Sequence, residues 1–182
     1  MNSFFNSDEL DQIGFKTIGK NVKISKNACF YGANQIEIGS NVRIDDFCII
    51  SGNVKIGSYV HIGAGSFLYG SYGIEIGDFS GLSPKCVIYS SIDDFSGEYL
   101  ISPLTKKKHN NLIKGKVNLG SYVQLGSNTI VFPDLSIPEG VATGARTLVR
   151  ESVEPWFIYI GQECRKLKPR KKDLLKLARK YE

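Results

Sequence analysis

The stretch IGSNVRIDDFCIISGNVKIGSYVHIGA, residues 38–64, decides the fold. An isoleucine recurs in it every six residues, at Ile38, Ile44, Ile50, Ile56 and Ile62. A six-residue period is typical of a solenoid in which three short strands complete one coil and each apolar side chain stacks on its counterpart in the next coil. Since one coil cannot bury its own core, several coils must stack. The stretch therefore predicts an all-β chain, a parallel β-helix.

The same register covers most of the chain. Coils begin with an aliphatic residue followed by glycine, at Ile18, Ile38, Ile56, Ile76 and Leu119. Four residues after each inward aliphatic the side chain is small or β-branched, as at Cys48 and Cys86, because the corners of the coil leave little room. These cysteines are therefore expected in the core. With Cys29 and Cys164 they form no C-x-x-C pair, so neither a zinc knuckle nor a redox motif is indicated.

Two kinds of interruption divide the chain. The spacings Phe30 to Ile38 and Leu68 to Ile76 are eight residues instead of six, which predicts two-residue bulges at equivalent corners. A longer break at about residues 89–116 predicts an emergent loop, the kind of segment that carries function on a rigid scaffold. We expect an N-terminal cap over residues 1–17, with a short helix capped by Ser7, the β-helix over 18–160, and a basic C-terminal helix over 161–182.

Composition excludes several classes of protein. The first residues do not form a signal peptide, and no apolar run approaches a membrane span, which predicts a cytoplasmic protein. The net charge of +5 suits an anionic partner such as a nucleotide, although mild excess charge is common on solvated surfaces. A zinc enzyme of the carbonic anhydrase type needs three histidine ligands, and the chain has only His61 and His109, so no metal site is expected.

The candidate catalytic groups each have an ordinary structural alternative. His61 is the last residue of a hexapeptide, before Ile62, and is expected to project from a corner of the coil, where it is either a proton acceptor or a solvated polar residue. Asp93 and Asp94 open the emergent loop, where carboxylates hold an amine or simply form a turn. Ser83 lies on the preceding coil, either near the chemistry or as a surface hydroxyl. The basic residues Lys166, Lys168 and Arg170 either contact phosphates or form a solvated face.

The chain resembles the hexapeptide acyltransferase superfamily and, more narrowly, the dTDP-4-amino-4,6-dideoxy-D-glucose acyltransferase family. The resemblance rests on residues 1–28, 38–64, IYSSIDDFSG at 88–97 and FIYIGQECRKLKPRK at 157–171. It implies a left-handed coil, acetyl-CoA as the donor, a dTDP-linked amino sugar as the acceptor, and a homotrimer with active sites between subunits. It also implies a bacterial enzyme of O-antigen or other surface polysaccharide synthesis, with no nucleic-acid partner.

Site roles follow from the resemblance. Asp93 stands where the galactoside and maltose O-acetyltransferases keep a catalytic histidine, which favours a sugar amine, because an amine needs less activation than a hydroxyl. Asp93 would then hold the amine with Ser83 close by, Asp94 would bind the substrate, and His61 would assist.

The resemblance also implies the positions of donor-binding groups. A backbone N–H of Gly126 or Gly144 would stabilise the oxyanion, and Lys166, Lys168 and Arg170 would reach the phosphates of CoA. Two alternatives stay open: an O-acetyltransferase with His61 as its base, and a structural trimer without catalytic activity.

Overall fold

The computed structural model describes residues 3–181. Met1 and Asn2 of the predicted cap and Glu182 of the predicted C-terminal helix lie outside the described residues. The strands are β1 (Thr17–Ile18), β2 (Lys23–Ile24), β3 (Cys29–Tyr31), β4 (Ile36–Ile38), β5 (Arg43–Ile44), β6 (Ile49–Ile56), β7 (His61–Ile62), β8 (Phe67–Ile76), β9 (Gly81–Leu82), β10 (Val87–Tyr89), β11 (Ser91–Asp93), β12 (Leu112–Lys114), β13 (Val117–Leu119), β14 (Gln124–Leu125), β15 (Ile130–Val131), β16 (Ser136–Ile137), β17 (Ala142–Thr143), β18 (Leu148–Val149), β19 (Phe157–Ile160) and β20 (Arg165–Pro169). The α-helices are α1 (Ser7–Ile13) and α2 (Leu174–Ala178), with 3₁₀ turns at Ala33–Gln35 and Lys107–His109.

The strands build a parallel β-helix with three faces, which confirms the predicted fold class. The first face contains β1, β4, the second halves of β6 and β8, β13 and β16. The second face contains β2, β5, β7, β9, β14, β17 and β19. The third face contains β3, the first halves of β6 and β8, β10, β15 and β18.

The core is the stack of inward residues that the hexapeptide register predicts. On the second face Ile24, Ile44, Ile62, Leu82 and Leu125 are buried in successive coils. The predicted small positions are buried with them, including Cys48 and Cys86. Burial raises the pKa of the Cys86 thiol to about 11, so at neutral pH it remains a protonated core side chain.

The corner between the first and second faces carries a column of aromatic rings. Tyr59 and Phe79 stack with centroids 4.6 Å apart, and Phe79 stacks on Tyr122 at 5.5 Å. Gly140 interrupts the column, because a Cβ there would lie 2.3 Å from the ring of Trp156, which folds over it. This aromatic corner gives the C-terminal segment an apolar surface.

All breaks in the repeat fall at the corner between the third and first faces. The pairings of β3 and β4 with β6 place two extra residues at one coil, and the pairing of β6 with β8 places two more beyond Gly70. The emergent loop leaves after β10 and returns at β13, at the same corner. Its base is an antiparallel pair of β11 with β12. The predicted bulges and loop are therefore present.

Both ends differ in detail from the prediction. The cap of α1 is Asn6, not Ser7: its side chain accepts from the N–H of Glu9, whose carboxylate accepts from the N–H of Asn6. The predicted C-terminal helix is present as α2, but its predicted bounds of 161–182 are wrong. Residues 165–169 form β20, antiparallel to β19, since Pro169 cannot sit in a helix interior and the edge of β19 offers free backbone groups.

After β20 the chain turns back along the aromatic corner. There α2 packs against it, and the Tyr59 hydroxyl donates to the carbonyl of Tyr181 at 2.9 Å. Among residues 3–181 no helix is long and apolar enough to cross a bilayer.

Candidate active site

The second face presents one row of outward side chains, one per coil. Parallel pairing places the row in register as Lys23, Arg43, His61, Gly81, Gln124 and Ala142. Each member comes just before an inward residue, so it points away from the core. The residues that follow the inward positions flank this row, and they include Asp45, Gly63, Ser83, Gly126 and Gly144. Two of the predicted catalytic residues, His61 and Ser83, therefore share this face. The predicted corner position of His61 is wrong, because His61 pairs in strand β7 with Arg43 and Gly81.

His61 is held by a carboxylate of the preceding coil. Its Nε2 lies 2.7 Å from Oδ2 of Asp45, whose Oδ1 accepts from Nε of Arg43, also at 2.7 Å. Burial acts to raise the pKa of Asp45, but the hydrogen bonds from His61 and Arg43 outweigh it, and the pKa is lowered overall. Asp45 thus stays ionised and fixes both neighbours. We did not predict its role, although its register next to His61 was available from the sequence.

Ser83 has a partner that the sequence analysis also missed. Gln124 lies one coil further on and donates from Nε2 to the Ser83 Oγ at 3.2 Å. Gly81 makes this possible, because a Cβ there would lie 2.6 Å from Oε1 of Gln124. Within residues 3–181 the hydroxyl thus meets an amide and no general base, so it is placed to hydrogen-bond a ligand without being activated as a nucleophile.

The carboxylates of Asp93 and Asp94 have different surroundings in the loop. The Asp94 carboxylate accepts from the N–H of Ser96 at 2.7 Å and from Nδ2 of Asn111 at 2.8 Å. Those bonds, led by Ser96, lower the pKa of Asp94. Asp93 instead lines a cavity of about 470 Å³ within the loop, together with Tyr72, Thr105, Lys107 and Lys114 among others. Asp94 therefore shapes the loop, and Asp93 is the carboxylate at the cavity.

Within one chain the loop and the second face do not meet. The loop leaves the corner between the third and first faces, which is opposite the second face in a triangular coil. The cavity that Asp93 lines contains neither His61 nor Ser83. Within one subunit Asp93 and Ser83 therefore lie on different sides of the coil, so the expected proximity of the two residues would require a second subunit.

Gly126 and Gly144 are not free to form an oxyanion hole. The N–H of Gly126 donates to the carbonyl and Oγ1 of Thr143, and the N–H of Gly144 donates to the Tyr159 carbonyl at 2.8 Å. The prediction is wrong because both amides belong to the hydrogen bonds between coils. The next residues, Ser127 and Ala145, have amides that donate to no group within residues 3–181, so these amides remain available to a ligand.

The three predicted phosphate-binding cations differ from one another. Lys166 pairs with Glu154 and stands 4.1 Å from the centroid of the Phe157 ring. Lys168 is exposed on β20, with no ion pair among residues 3–181. These two lie at the end of the second face.

Arg170 does not act as predicted. Its Nη1 donates to the carbonyls of Tyr122, Gly140 and Val141, and burial lowers its pKa. The guanidinium braces two coils, and the proposed contact of Arg170 with CoA is at odds with this geometry. No group of three or more His, Cys, Asp or Glu side chains within residues 3–181 could hold a metal ion.

The sequence of the chain is similar to those of known transferases. Residues 35–70 match the family model described as bacterial transferase hexapeptide (six repeats). A dTDP-4-amino-4,6-dideoxy-D-glucose acyltransferase of Escherichia coli is 38% identical over 178 residues, covering 96% of this chain and 93% of the relative. The chain belongs to this acyltransferase family. Since acyl transfer is the family's reaction, the protein is an enzyme, and the resemblance proposed from the sequence is confirmed.

Solved structures agree with this family assignment. AntD, an N-acyltransferase from Bacillus cereus, superposes with a TM-score of 0.97 at 48% identity, covering 100% of this chain and 97% of AntD. A serine-to-cysteine mutant of AntD has been solved with dTDP-4-amino-4,6-dideoxyglucose and coenzyme A, and AntD itself with dTDP and 3-hydroxybutyryl-CoA. A maltose O-acetyltransferase from Clostridium difficile shares only the fold, with a TM-score of 0.53 at 22% identity, covering 91% of this chain and 74% of that one.

Proposed function

We propose that the protein transfers an acyl group, acetyl in the first instance, from acyl-CoA to the amine of dTDP-4-amino-4,6-dideoxyglucose. The observation that carries the proposal is the likeness to AntD over the full chain, because AntD binds this sugar nucleotide and coenzyme A. The presence of 3-hydroxybutyryl-CoA in AntD makes the length of the acyl chain a quantity to measure.

The side chains of the candidate site fit a direct transfer. The lone pair of the sugar amine attacks the thioester carbonyl, a C–N bond forms, and the carbonyl oxygen becomes an oxyanion. The intermediate collapses when the C–S bond breaks, and the amine proton passes to the departing CoA thiolate. The buried thiols of Cys48 and Cys86 are closed to a ligand, and within residues 3–181 the Ser83 hydroxyl accepts from an amide and contacts no general base. In this proposal the sugar amine is the nucleophile.

Three groups surround the amine in this proposal. The carboxylate of Asp93 holds it and its developing positive charge, while the Ser83 hydroxyl and Gln124 orient it from the second face. His61 contacts the sugar beside Ser83, with its ring fixed by Asp45. Asp94 supports the site by shaping the loop. The amide of Ala145 or Ser127 takes the place of Gly126 and Gly144 as donor to the oxyanion.

We further propose a homotrimer in which the loop of one subunit lies over the second face of its neighbour. The support is that Asp93 and Ser83 lie on different sides of one chain, although the chemistry needs both. Lys166 and Lys168, at the end of that face, would then meet the phosphates of CoA. Residues 18–160 would form the β-helix unit, with the end segments as its caps.

We place this activity in the bacterial cytoplasm, where acyl-CoA and nucleotide sugars are made. The acylated sugar would serve O-antigen or other surface polysaccharide synthesis. The proposal is supported by the nature of the two substrates.

The function is tested by mass spectrometry of dTDP-4-amino-4,6-dideoxyglucose incubated with enzyme and acetyl-CoA or 3-hydroxybutyryl-CoA. We expect a mass gain of one acyl group, and no gain with the matched dTDP-sugar that has a hydroxyl at position 4. Acylation of the hydroxyl sugar alone would establish the O-acetyltransferase alternative. Absence of both products would refute the proposal.

The shared site is tested by mixing variants. Asp93→Asn and Ser83→Ala chains, each of low activity alone, are unfolded together and refolded. If adjacent subunits form the site, some mixed trimers contain one intact site, and the mixture is more active than either parent. Activity no higher than the parents', in a mixture shown by native mass spectrometry to contain mixed trimers, would place both residues in one subunit's site.

A further inference from the structure

The aromatic corner uses residues that are costly at its turn. In successive coils the turn position is Asn21, Asn41, Tyr59, Phe79 and Tyr122, each with a φ between 54° and 61°. Asn21 donates from Nδ2 to Oδ1 of Asn41 at 2.8 Å, and asparagine adopts this left-handed conformation more readily than a bulky side chain does. The change to aromatic residues therefore needs a reason beyond the turn itself.

The three aromatic residues adjoin the catalytic part of the second face. Each lies two positions before an outward residue of that face, and one buried residue separates the two. A displacement of the corner backbone therefore moves the outward residue with it. The pairs are Tyr59 and His61, Phe79 and Gly81, and Tyr122 and Gln124.

The coils of Ser83 and Gln124 are neighbours in space but lie on either side of the emergent loop in sequence. They pair through the two-residue strands β9 and β14. The Ser80 hydroxyl bridges the same coils, accepting from the N–H of Val123, 43 residues away, and donating to the carbonyl of Gly120, both at 3.1 Å. The hydrogen bond from Gln124 to Ser83 spans these coils, so its geometry depends on their spacing.

The C-terminal strap, residues 170–181, runs along the aromatic corner and is fixed at both ends. At one end Arg170 donates to the Tyr122 carbonyl and to the carbonyl of Gly140 in the next coil. At the other end the Tyr59 hydroxyl donates to the Tyr181 carbonyl at 2.9 Å, and the two rings lie 5.7 Å apart. The strap therefore links the three coils whose corner residues are aromatic.

Between its ends the strap contacts the rings through α2. Ala178 is buried there, while a cavity of about 340 Å³ remains between the helix and the rings. Since the packing is incomplete, the attachment depends on Ala178 and on the two fixed ends.

We infer that the C-terminal strap is a positioning element for the acceptor site. By holding the aromatic corner, it keeps the coils of His61, Ser83 and Gln124 at the spacing that the hydrogen bond between Ser83 and Gln124 requires. Arg170, Ala178 and Tyr181 are thus positioning residues that act through the second face. The kinetic consequence of this inference rests on the proposed function.

Hydrogen exchange in the free enzyme tests the inference without substrate. Ala178→Glu places a carboxylate against the rings and should lift α2, whereas Lys176→Glu, at an exposed position of the same helix, is the matched control. The reporters are amides of the second face that donate to a neighbouring coil, and the internal controls are the equivalent amides of the third face in the same coils. The reporters are His61, Gly81 and Gln124, and the controls are Phe67, Val87 and Ile130.

We expect exchange in Ala178→Glu to be about tenfold faster at the three reporters and to change by less than about twofold at the controls. Tyr59→Phe, which removes only the hydroxyl bonded to Tyr181, should give about a threefold increase at the reporters. Lys176→Glu should exchange as wild type.

The kinetic readout separates positioning from stabilisation. Below the thermal midpoint, Ala178→Glu should lower kcat/KM for the amino sugar about fivefold. In a Gln124→Ala background the same change should have almost no further effect on kcat/KM, because the strap acts through that residue. A strap that only stabilises the fold would lower the thermal midpoint in both backgrounds and leave kcat/KM unchanged.

Equal acceleration of exchange on both faces, or none on either, would overturn the inference. If Ala178→Glu does not fold, exchange and kcat/KM of Tyr59→Phe decide by the same comparison. A wild-type enzyme that acylates no amine would refute the proposed function, and the exchange measurement would still decide whether the strap holds the second face.

Discussion

The second face and the emergent loop carry functional side chains by different means. Each residue of the second face, such as His61 or Ser83, is placed by hydrogen bonds to coils on both sides. The loop is placed only at its base, by the short pair of β11 and β12, and most of its residues from 95 to 113 are exposed. The ladder holds the side chains of the second face in register, while the loop projects from the coils and is paired at its base. Activity and stability should therefore respond differently to changes in the two regions.

The largest expected effect comes from the loop. Asp93→Asn keeps the shape of the side chain but removes the charge that holds the amine, so kcat/KM should fall about 100-fold, about 2.7 kcal/mol. The thermal midpoint should hardly change, since the loop adds little to the core. Asp94→Asn is the matched control and should cost about fivefold by loosening the loop. Near-wild-type kcat/KM for Asp93→Asn, with Asp94→Asn inactive, would reverse the two roles.

The next largest effect is expected at Arg170, whose guanidinium donates to backbone carbonyls of two coils. Arg170→Ala removes donors from the carbonyls of Tyr122, Gly140 and Val141, which should lower the free energy of unfolding by about 2 kcal/mol. Lys168→Ala, at an exposed position of β20 two residues before Arg170, should stay within about 0.5 kcal/mol of wild type. Denaturation is compared at equal protein concentration, because an oligomer's stability depends on it. Equal midpoints for the two variants would contradict the role of Arg170.

A smaller effect is expected at the serine of the second face. Ser83→Ala removes one hydrogen bond to the acceptor, so kcat/KM for the amino sugar should fall about tenfold with the thermal midpoint unchanged. Ser136→Ala, an exposed serine at an outward position of the first face, is the control and should have no effect. A complete loss of activity, with an acylated Ser83 found by peptide mass spectrometry in wild type, would replace direct transfer by a covalent mechanism.

The smallest effect is expected at Asp45, whose carboxylate contacts Arg43 and His61. The pKa of Asp45 is lowered in the folded state, so its carboxylate adds stability at neutral pH, and this is lost as the pH falls below about 4. Asp45→Asn should therefore lower the thermal midpoint at pH 7 by an amount equivalent to less than about 1 kcal/mol, and flatten its fall between pH 5 and 3.

The groups that face Asp45 are His61 and Arg43. Asp11→Asn, at an exposed position of α1, should leave the acid profile unchanged. An Asp45→Asn profile parallel to that of wild type would show that these contacts do not persist in solution.

The hexapeptide register predicted more of this protein than any single motif did. It predicted the buried stack, the core positions of Cys48 and Cys86, the two bulges and the loop, because each depends on contacts repeated at a fixed interval. It also predicted that His61 and Ser83 are outward residues. The paired carboxylates after Ile88 were visible in the sequence, but only the hairpin showed that Asp94 bonds to Asn111 while Asp93 lines the cavity.

The failures share one physical cause. A local pattern does not say which acceptor a donor finds in another coil. The amides of Gly126 and Gly144 belong to the hydrogen bonds between coils, and the guanidinium of Arg170 finds carbonyls 30 or more residues away in sequence. For the same reason the contacts of Gln124 with Ser83 and of Asp45 with His61 were not predicted. Predicting them requires aligning the hexapeptides of neighbouring coils.

The sequence by itself determined the coil and the order of residues along each face, because a period of six leaves one way to bury the aliphatic side chains. It also carried the resemblance that led to an amine acceptor. The tertiary structure decided which side chains are free for a ligand, since that depends on hydrogen bonds between residues far apart in the chain. It also decided that Asp93 and Ser83 lie on different sides of one subunit, because the corner where a loop leaves the solenoid is set by stacking.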